Sequence, residues 1–562
     1  LEGNVSRTPL VDSLRRAFRL AALSVRRRSG TPPLDELIEI SYSRRRFLRD
    51  SAVLSAAALA ASCRQPTAPP PATSTTSPGP PPSIGGPRIA IVGAGVAGLN
   101  AAYKLQQAGL TAKVFEGANR TGGRMFTARD LLGAGLTTEL GGEFIDSTHE
   151  EMLALMEEFG LEQLDTLGPG SESLKPETYF INGRHYTQAE AARAFVPLAS
   201  QILEHYDSMG EIVNYEVEGG GAAFDKMSIA EYFDSIGATG WMRDLLETAY
   251  VTEYGLDVGD QSALNFLFLI GTGDLENEEE CALLGESDER YKVRGGNQQI
   301  VDELARRVAP QIQTLHRLEA LRSTGESFTL TFQTGGTPVE EVADVVVLAI
   351  PFTLLRDVNV QVDMPEVKAR AIQQLGYGAN AKVLVGFRSR LWEKQGYSGG
   401  TYSDETFQLA WANSYLQAGT EGGLTLYSGG QVAHEAGKGT AEEAATRLMQ
   451  GIERAYPGAT RERNGRVSRF HWPTHPWTKA SYSCYRPGQW TTIAGAEGLP
   501  VGNLFFAGEH CSYDFQGYMN GAAQSGADTA RAIMAAVSSA SAVRSYPRRA
   551  LLTARVGGHR WS

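Results

Sequence analysis

Cysteine is scarce in this 562-residue chain: Cys63, Cys281, Cys484 and Cys511 stand far apart, with no CxxC pair and no metal-ligand spacing. A disulfide scaffold and a zinc module are thereby excluded, and no metal site is expected. An excess of positive charge is also lacking. Lys plus Arg number 52 against 64 Asp plus Glu, a formal charge of -12, which argues against nucleic acid as the main partner. The apolar stretch over residues 51–62 is too short to cross a bilayer as a helix. What is present, 42% hydrophobic and 21% charged residues, is ordinary for a soluble globular protein, and the length allows two or three domains.

The charge is unevenly spread. Residues 1–63 hold 11 Arg against 6 acids, the tail 541–562 holds 5 Arg and no acid, and about -23 is left for residues 65–540. In the first of these basic ends, Ser43-Arg44-Arg45-Arg46-Phe47-Leu48-Arg49 precedes the Ala-rich run 51–62, a pattern that reads as an export signal. The segment resembles a twin-arginine signal, which implies passage of the folded protein through the twin-arginine export machinery to a periplasmic or other extracytoplasmic location. Ala60-Ala61-Ser62-Cys63 resembles a lipoprotein cleavage box with Ala in place of the usual Leu, so a lipid anchor at Cys63 is compatible with it. Residues 64–86, rich in Pro, Ser and Thr, read as an extended tether. Residues 1–42 make a long forerunner for such a signal, and the opening Leu fits an upstream fusion or a misplaced start. The basic tail has no assigned role.

Arg88-Ile-Ala-Ile-Val92 reads as a buried parallel strand, followed at once by Gly93-Ala-Gly95-Val-Ala97-Gly98. Gly93 permits the tight turn, Gly95 lets the backbone approach a pyrophosphate, and Gly98 lets the next helix, predicted over 100–108, pack on the strand. A second strand, Ala112–Phe115, delivers Glu116 at 23 residues from Gly93, near the offset of roughly 20 at which an acid accepts hydrogen bonds from a ribose. That acid favours FAD or NAD over a 2′-phosphorylated dinucleotide.

The next motifs separate FAD from NAD. Arg120-Thr-Gly-Gly123-Arg124-Met and Glu139-Leu-Gly-Gly142-Glu143-Phe resemble the pyrophosphate and flavin-side loops of the flavin amine oxidase superfamily, which includes monoamine and L-amino acid oxidases. The resemblance continues through Arg294-Gly-Gly-Asn-Gln298, Val345–Pro351, Leu504-Phe-Phe-Ala-Gly508-Glu509 and Gly517-Tyr518-Met519-Asn-Gly-Ala522, ahead of a helix from about 523 to 536. It covers roughly residues 87–540 with the motifs in family order. It implies an α/β fold, a Rossmann-like FAD domain (about 87–146, 287–359, 466–540) interleaved with an α+β substrate domain (about 147–286, 360–465). It also places Leu318 and Trp477 with the cofactor-binding residues, and puts either Trp472 or Trp477 against the flavin or the pocket wall.

Three positions match the family's catalytic constellation. Lys382 resembles the lysine that holds a water against flavin N5 and serves the reaction with oxygen. Tyr482 and Tyr518 resemble the two tyrosines of the monoamine oxidase cage. Ser481 stands where covalent relatives carry the flavin-linked Cys, and Cys484 lies beyond Tyr482, so noncovalent FAD is expected. Where many L-amino acid oxidases offer an Arg to the substrate carboxylate, this chain has Glu143-Phe144-Ile145-Asp146; these acids are read equally as attractors of a second cationic group or as solvated loop acids. The acidic run 276–280 is read as a solvated loop. The expected reaction is oxidation of a primary amine by O2, giving H2O2, ammonia and an aldehyde or keto product. The alternatives are an L-amino acid oxidase, for instance for basic amino acids, a flavin desaturase of the same superfamily, and a non-catalytic flavin module. A homodimer is compatible with the sequence.

Overall fold

A computed structural model describes residues 11–26, 33–39, 86–166, 175–210, 212–271 and 288–545. The expected export motif, Cys63, Cys281, the run 276–280 and most of the basic tail lie outside them.

A five-stranded parallel sheet forms the first layer, in the order 504–506, 345–348, 89–92, 112–115, 312–313. The central strand Ile89–Val92 is buried at every position and pairs on both sides, Ile89 with Val345 and with Ala112, as an apolar run covered on both faces must. The helix Val96–Gln107 packs on this sheet beside the long helix Met519–Ser545. Both helices start earlier than the spacing predicts: the first directly after the Gly95 cap, the second within the Tyr518-Met519 motif itself. The Ala112–Phe115 strand lies where expected. A smaller four-stranded sheet, with 317–323 and 359–361 as a parallel pair, flanks this unit.

A seven-stranded sheet, in the order 463–471, 380–387, 422–429, 409–412, 397–403, 175–181, 184–186, forms the second layer. Asn380–Phe387 lies between two antiparallel neighbours and is wholly buried. The domain boundary expected at 465/466 falls inside the strand Arg463–His471, which belongs whole to this sheet; the one at 359/360 falls inside Asn359–Gln361, which pairs with the other unit. The helix Ala441–Ala455 starts at a Thr440/Glu443 capping box. Helices Gln188–Met209, Gly240–Tyr254 and Ala263–Ile270 form a helical core that shares Tyr179, Tyr402 and Trp411 with this large sheet.

One element was not anticipated. Val11–Val25, inside the stretch expected to be leader, is an amphipathic helix laid along Gln188–Met209. Leu14, Ala17, Phe18, Ala21 and Ala22 are fully buried in the same core as Phe195, Ile202, Tyr250 and Phe266, and Phe18 meets Phe195 edge-on at 5.4 Å between centroids. The positions 14, 17, 18 and 21 give the helical stripe. Among the described residues no helix is long and apolar enough to cross a membrane, and no cluster of side chains could hold a metal ion.

Candidate functional site

One continuous cavity runs from the C-terminal edge of the parallel sheet to the large antiparallel sheet, lined at one end by Glu116, Gly117 and Leu318 and at the other by Lys382, Tyr482 and Tyr518. The sheet end has the form a dinucleotide needs. Gly93 has φ +107°, and a Cβ there would lie 2.4 Å from Ala349 O; a Cβ on Gly98 would lie 2.0 Å from Gly93 O. These two glycines therefore serve the turn and the helix packing. A Cβ on Gly95 would meet nothing within 4 Å, so this position faces the cavity. The helix Val96–Gln107 starts at Gly95 with no side-chain cap, which leaves its first amide groups for an anion. Glu116 accepts hydrogen bonds from the amides of Ala94 and Ala118, both at 2.8 Å, and burial raises its carboxyl above the ordinary value. Ala97, Gly123, Arg124, Gly142, Gly508 and Met519 line the middle of the cavity. A Cβ on Gly142 would lie 2.6 Å from the Met519 sulfur. An elongated dinucleotide with an anionic centre fits this donor set and shape.

Arg124 and Glu509 tie three loops together. Arg124 Nη1 donates to Glu509 Oε1 and to Ser481 O, both at 2.8 Å, and Glu509 also accepts from the Ser483 hydroxyl (2.6 Å) and the Gly517 amide (2.9 Å). Burial would raise this carboxyl; Arg124, His510 and the hydrogen bonds outweigh it and hold it down to about 2. The two tryptophans divide the cavity. Trp472 donates to Leu140 O at 3.1 Å and flanks Gly141, while the Trp477 ring covers Gly117, next to Glu116. Trp472 thus belongs to the far end and Trp477 to the ribose end.

At the far end the Tyr482 hydroxyl bonds to Glu253 O (2.8 Å) and to the Tyr427 hydroxyl (3.0 Å), which fixes its ring. Tyr518 is met edge-on by His149 at 5.4 Å; burial lowers the His149 pKa to about 3, so that ring is neutral. Lys382 rises from the fully buried strand Asn380–Phe387. Its ammonium donates to Glu139 O (3.1 Å), Gly141 O (2.9 Å) and Glu143 Oε2 (2.9 Å), which accounts for all three of its N–H donors. The lysine is therefore held by the protein itself, whereas the resemblance implied a lysine that holds a water. Lys382 also lies 5.2 Å from the Trp411 ring centre.

Glu143 and Asp146 are neither solvated nor free. Glu143 joins Lys382 and Lys292, whose Nζ is 2.8 Å from Oε1. Burial would raise the Glu143 carboxyl, and the two ammonium groups bring it down to about 2. Asp146 accepts the Glu289 amide at 2.8 Å and lies 3.5 Å from His149 Nε2. Burial pushes neighbouring Glu139 up to about 7, against the hydrogen bond from the Asn297 amide at 2.7 Å. No cysteine lines the cavity among the described residues; Cys484 is buried beside Asn265, in the helical core. Sequence reasoning missed Lys292, Tyr427, Trp411 and His149. Of these only Lys292 carried a local signal, two residues before the Arg294-Gly-Gly segment.

The model of one protein family, the flavin containing amine oxidoreductases, matches residues 96–534. The flavin-containing amine oxidase of Danio rerio is 25% identical over 474 residues, covering 80% of this chain and 86% of its own. The flavin-dependent L-tryptophan oxidase RebO of Lentzea aerocolonigenes is 26% identical, covering 81% and 99%. Among solved structures, cyclohexylamine oxidase from Brevibacterium oxydans superposes with a TM-score of 0.70 at 22% identity, covering 81% of this chain and all of that one.

Proposed function

The chain belongs to the flavin containing amine oxidoreductase family, and we propose that it oxidises primary amines that carry no carboxylate. Amine, O2 and water would give an aldehyde or ketone, ammonia and H2O2. The observation that carries this reading is that the cavity's cations already hold partners within the protein. Arg120 donates to Thr121 O and Gly123 O, Arg124 is committed to Glu509 and Ser481, Arg317 pairs with Glu319, and Lys382 is saturated. Each lining arginine among the described residues already has a carboxylate or carbonyl partner, which disfavours the carboxylate of an amino acid substrate.

When bound, FAD would supply the hydride acceptor for the amine's α-carbon and the route of its electrons to O2. This chain's residues do the rest. Tyr482, fixed by Tyr427 and Glu253 O, and Tyr518, buttressed by His149, supply aromatic walls that orient the amine and exclude water. Lys382 places a fixed positive charge beside them. FAD is held noncovalently in this reading, since Ser481 at the linkage position donates to Asn380 Oδ1 and no lining residue among those described is a thiol.

Anaerobic mixing of the yellow holoprotein with primary amines, polyamines and L-amino acids tests the proposal. Bleaching by amines supports it, and bleaching confined to amino acids overturns it. We also propose export by the twin-arginine route, on the strength of Arg44-Arg45-Arg46 and the Ala-rich run, with Cys63 as a candidate lipid anchor. The packed helix Val11–Val25 lies on the amino side of that signal, so cleavage near Cys63 would sever it from its domain. Mass spectrometry of the mature amino terminus, with a search for a co-purifying 11–25 peptide, decides this; a mature chain retained in the cytoplasm and uncut refutes export.

A further inference from the structure

A carboxylate next to Lys382 presents an electrostatic difficulty. A fixed cation at this end of the cavity stabilises negative charge as O2 takes up electrons, yet Glu143 lies 2.9 Å from that cation and is itself buried, its side chain 3% exposed. A Lys382–Glu143 pair alone is neutral. The structure contains the remedy: Lys292, from the strand Tyr291–Val293, reaches Glu143 from the other side at 2.8 Å with its side chain only 13% exposed. Two ammonium groups on the two oxygens of one carboxylate leave a net +1 behind the Gly141-Gly142 wall. Phe144 lies 5.2 Å from the Lys292 nitrogen and Trp411 5.2 Å from that of Lys382, so little water screens the group.

We propose that Lys292 is a positioning residue of the oxygen half of the reaction: it balances Glu143, and so keeps the Lys382 end of the cavity cationic. The proposal rests on the flavin amine oxidase reading above and deepens it. Each member of the triad has a distinct electrostatic role. Without Lys292 the group is neutral, without Glu143 it carries two positive charges, and without both it returns to the single charge of Lys382. An ordinary structural ion pair has no such sign pattern, because loss of either partner harms it.

The test uses sulfite, a small anion whose binding at the flavin ring bleaches the bound cofactor, titrated anaerobically into the holoprotein. Working at pH 6 keeps the Glu139 carboxyl protonated, since burial has pushed it to about 7. Lys292→Met should weaken sulfite binding about tenfold or more, the factor for ~1.4 kcal/mol, and Lys292→Arg should stay within about threefold of the parent. Glu143→Gln should tighten binding by about tenfold. Glu143→Gln with Lys292→Met should return to within about threefold of the parent, since both states carry one net charge. The rate at which O2 restores colour to the chemically reduced protein should follow the same order. Shifts of the same sign in the two single variants, a double variant worse than either, or a flat response in both measurements would overturn the proposal. Neither readout needs amine turnover. The predicted order in a protein that no amine bleaches would sink the proposed function and leave the charge balance standing.

Discussion

The buried face of helix Val11–Val25 makes a sharp prediction for Phe18→Ala. Phe18 is fully buried, stacks edge-on with Phe195, and belongs to the core that also contains Ile202, Tyr250 and Phe266. Truncating a buried Phe costs ~3–5 kcal/mol through lost transfer energy and the cavity left behind, and the lost aromatic pair lies within that figure or adds at most about 1.5 kcal/mol. A residue on a free leader would cost nothing beyond the ~0.5 kcal/mol typical of surface changes. Urea unfolding of the full chain measures the difference. The phase reporting the helical core should lose at least about 3 kcal/mol in Phe18→Ala, whereas Arg26→Ala, which removes an exposed pair with Asp207, should lose less than about 1 kcal/mol. A Phe18→Ala protein that unfolds with the parent would show that the helix is not part of the folded unit.

Two glycines of the phosphate turn should respond in opposite ways. Gly95→Val has open space for its side chain and should leave the fold intact while weakening FAD retention at least about tenfold; Gly98→Ala collides with Gly93 O and should yield insoluble protein. Folded Gly98→Ala with normal cofactor would contradict the packing described. Lys382→Met should leave anaerobic amine bleaching within a few-fold of the parent and slow the oxygen step about a hundredfold, as stopped-flow absorbance would report. Stability should also depend on pH through two groups of acids. Glu143 and Glu509 sit at about 2 when folded, so their contribution, on the order of 3 kcal/mol each, is present above the unfolded value near 4.5 and is lost as pH falls through 2. Glu139 and Glu497 sit at about 7, so theirs is complete below 4.5 and is lost as pH rises through 7. Urea midpoints should therefore fall between pH 5 and 7.5, and Glu139→Gln should flatten that fall; a parallel curve for the variant would refute the assignment.

The legible parts of the site were those where local stereochemistry is demanding. A strand that must turn at once into a closely packed helix leaves only glycine at 93 and 98, and the approach of a phosphate asks for glycine at 95. Contacts across long sequence separations left no such trace. Lys292 finds Glu143 at a separation of 149 residues, and Tyr427 finds Tyr482 at 55; no periodicity encodes either. The helix Val11–Val25 was hidden for another reason. Its arginines made it look like a basic leader, yet Arg15, Arg16 and Arg19 are largely buried, their long stems able to lie along apolar surface. The tail motif hid its own structure: Met519–Ala522, placed by the sequence ahead of the helix, is the helix's first turn.

The cavity is assembled from residues 92 to 522, and Arg124 reaches Glu509 across 385 positions. Neither end of the cofactor cradle can close until almost the whole chain has left the ribosome, and closure waits on slow, long-range pairing. FAD binds only the closed form and so draws the folding equilibrium toward it. The abundance of this protein in a cell should therefore track flavin supply, with a riboflavin-starved culture losing the polypeptide to its proteases before it accumulates an inactive apoprotein.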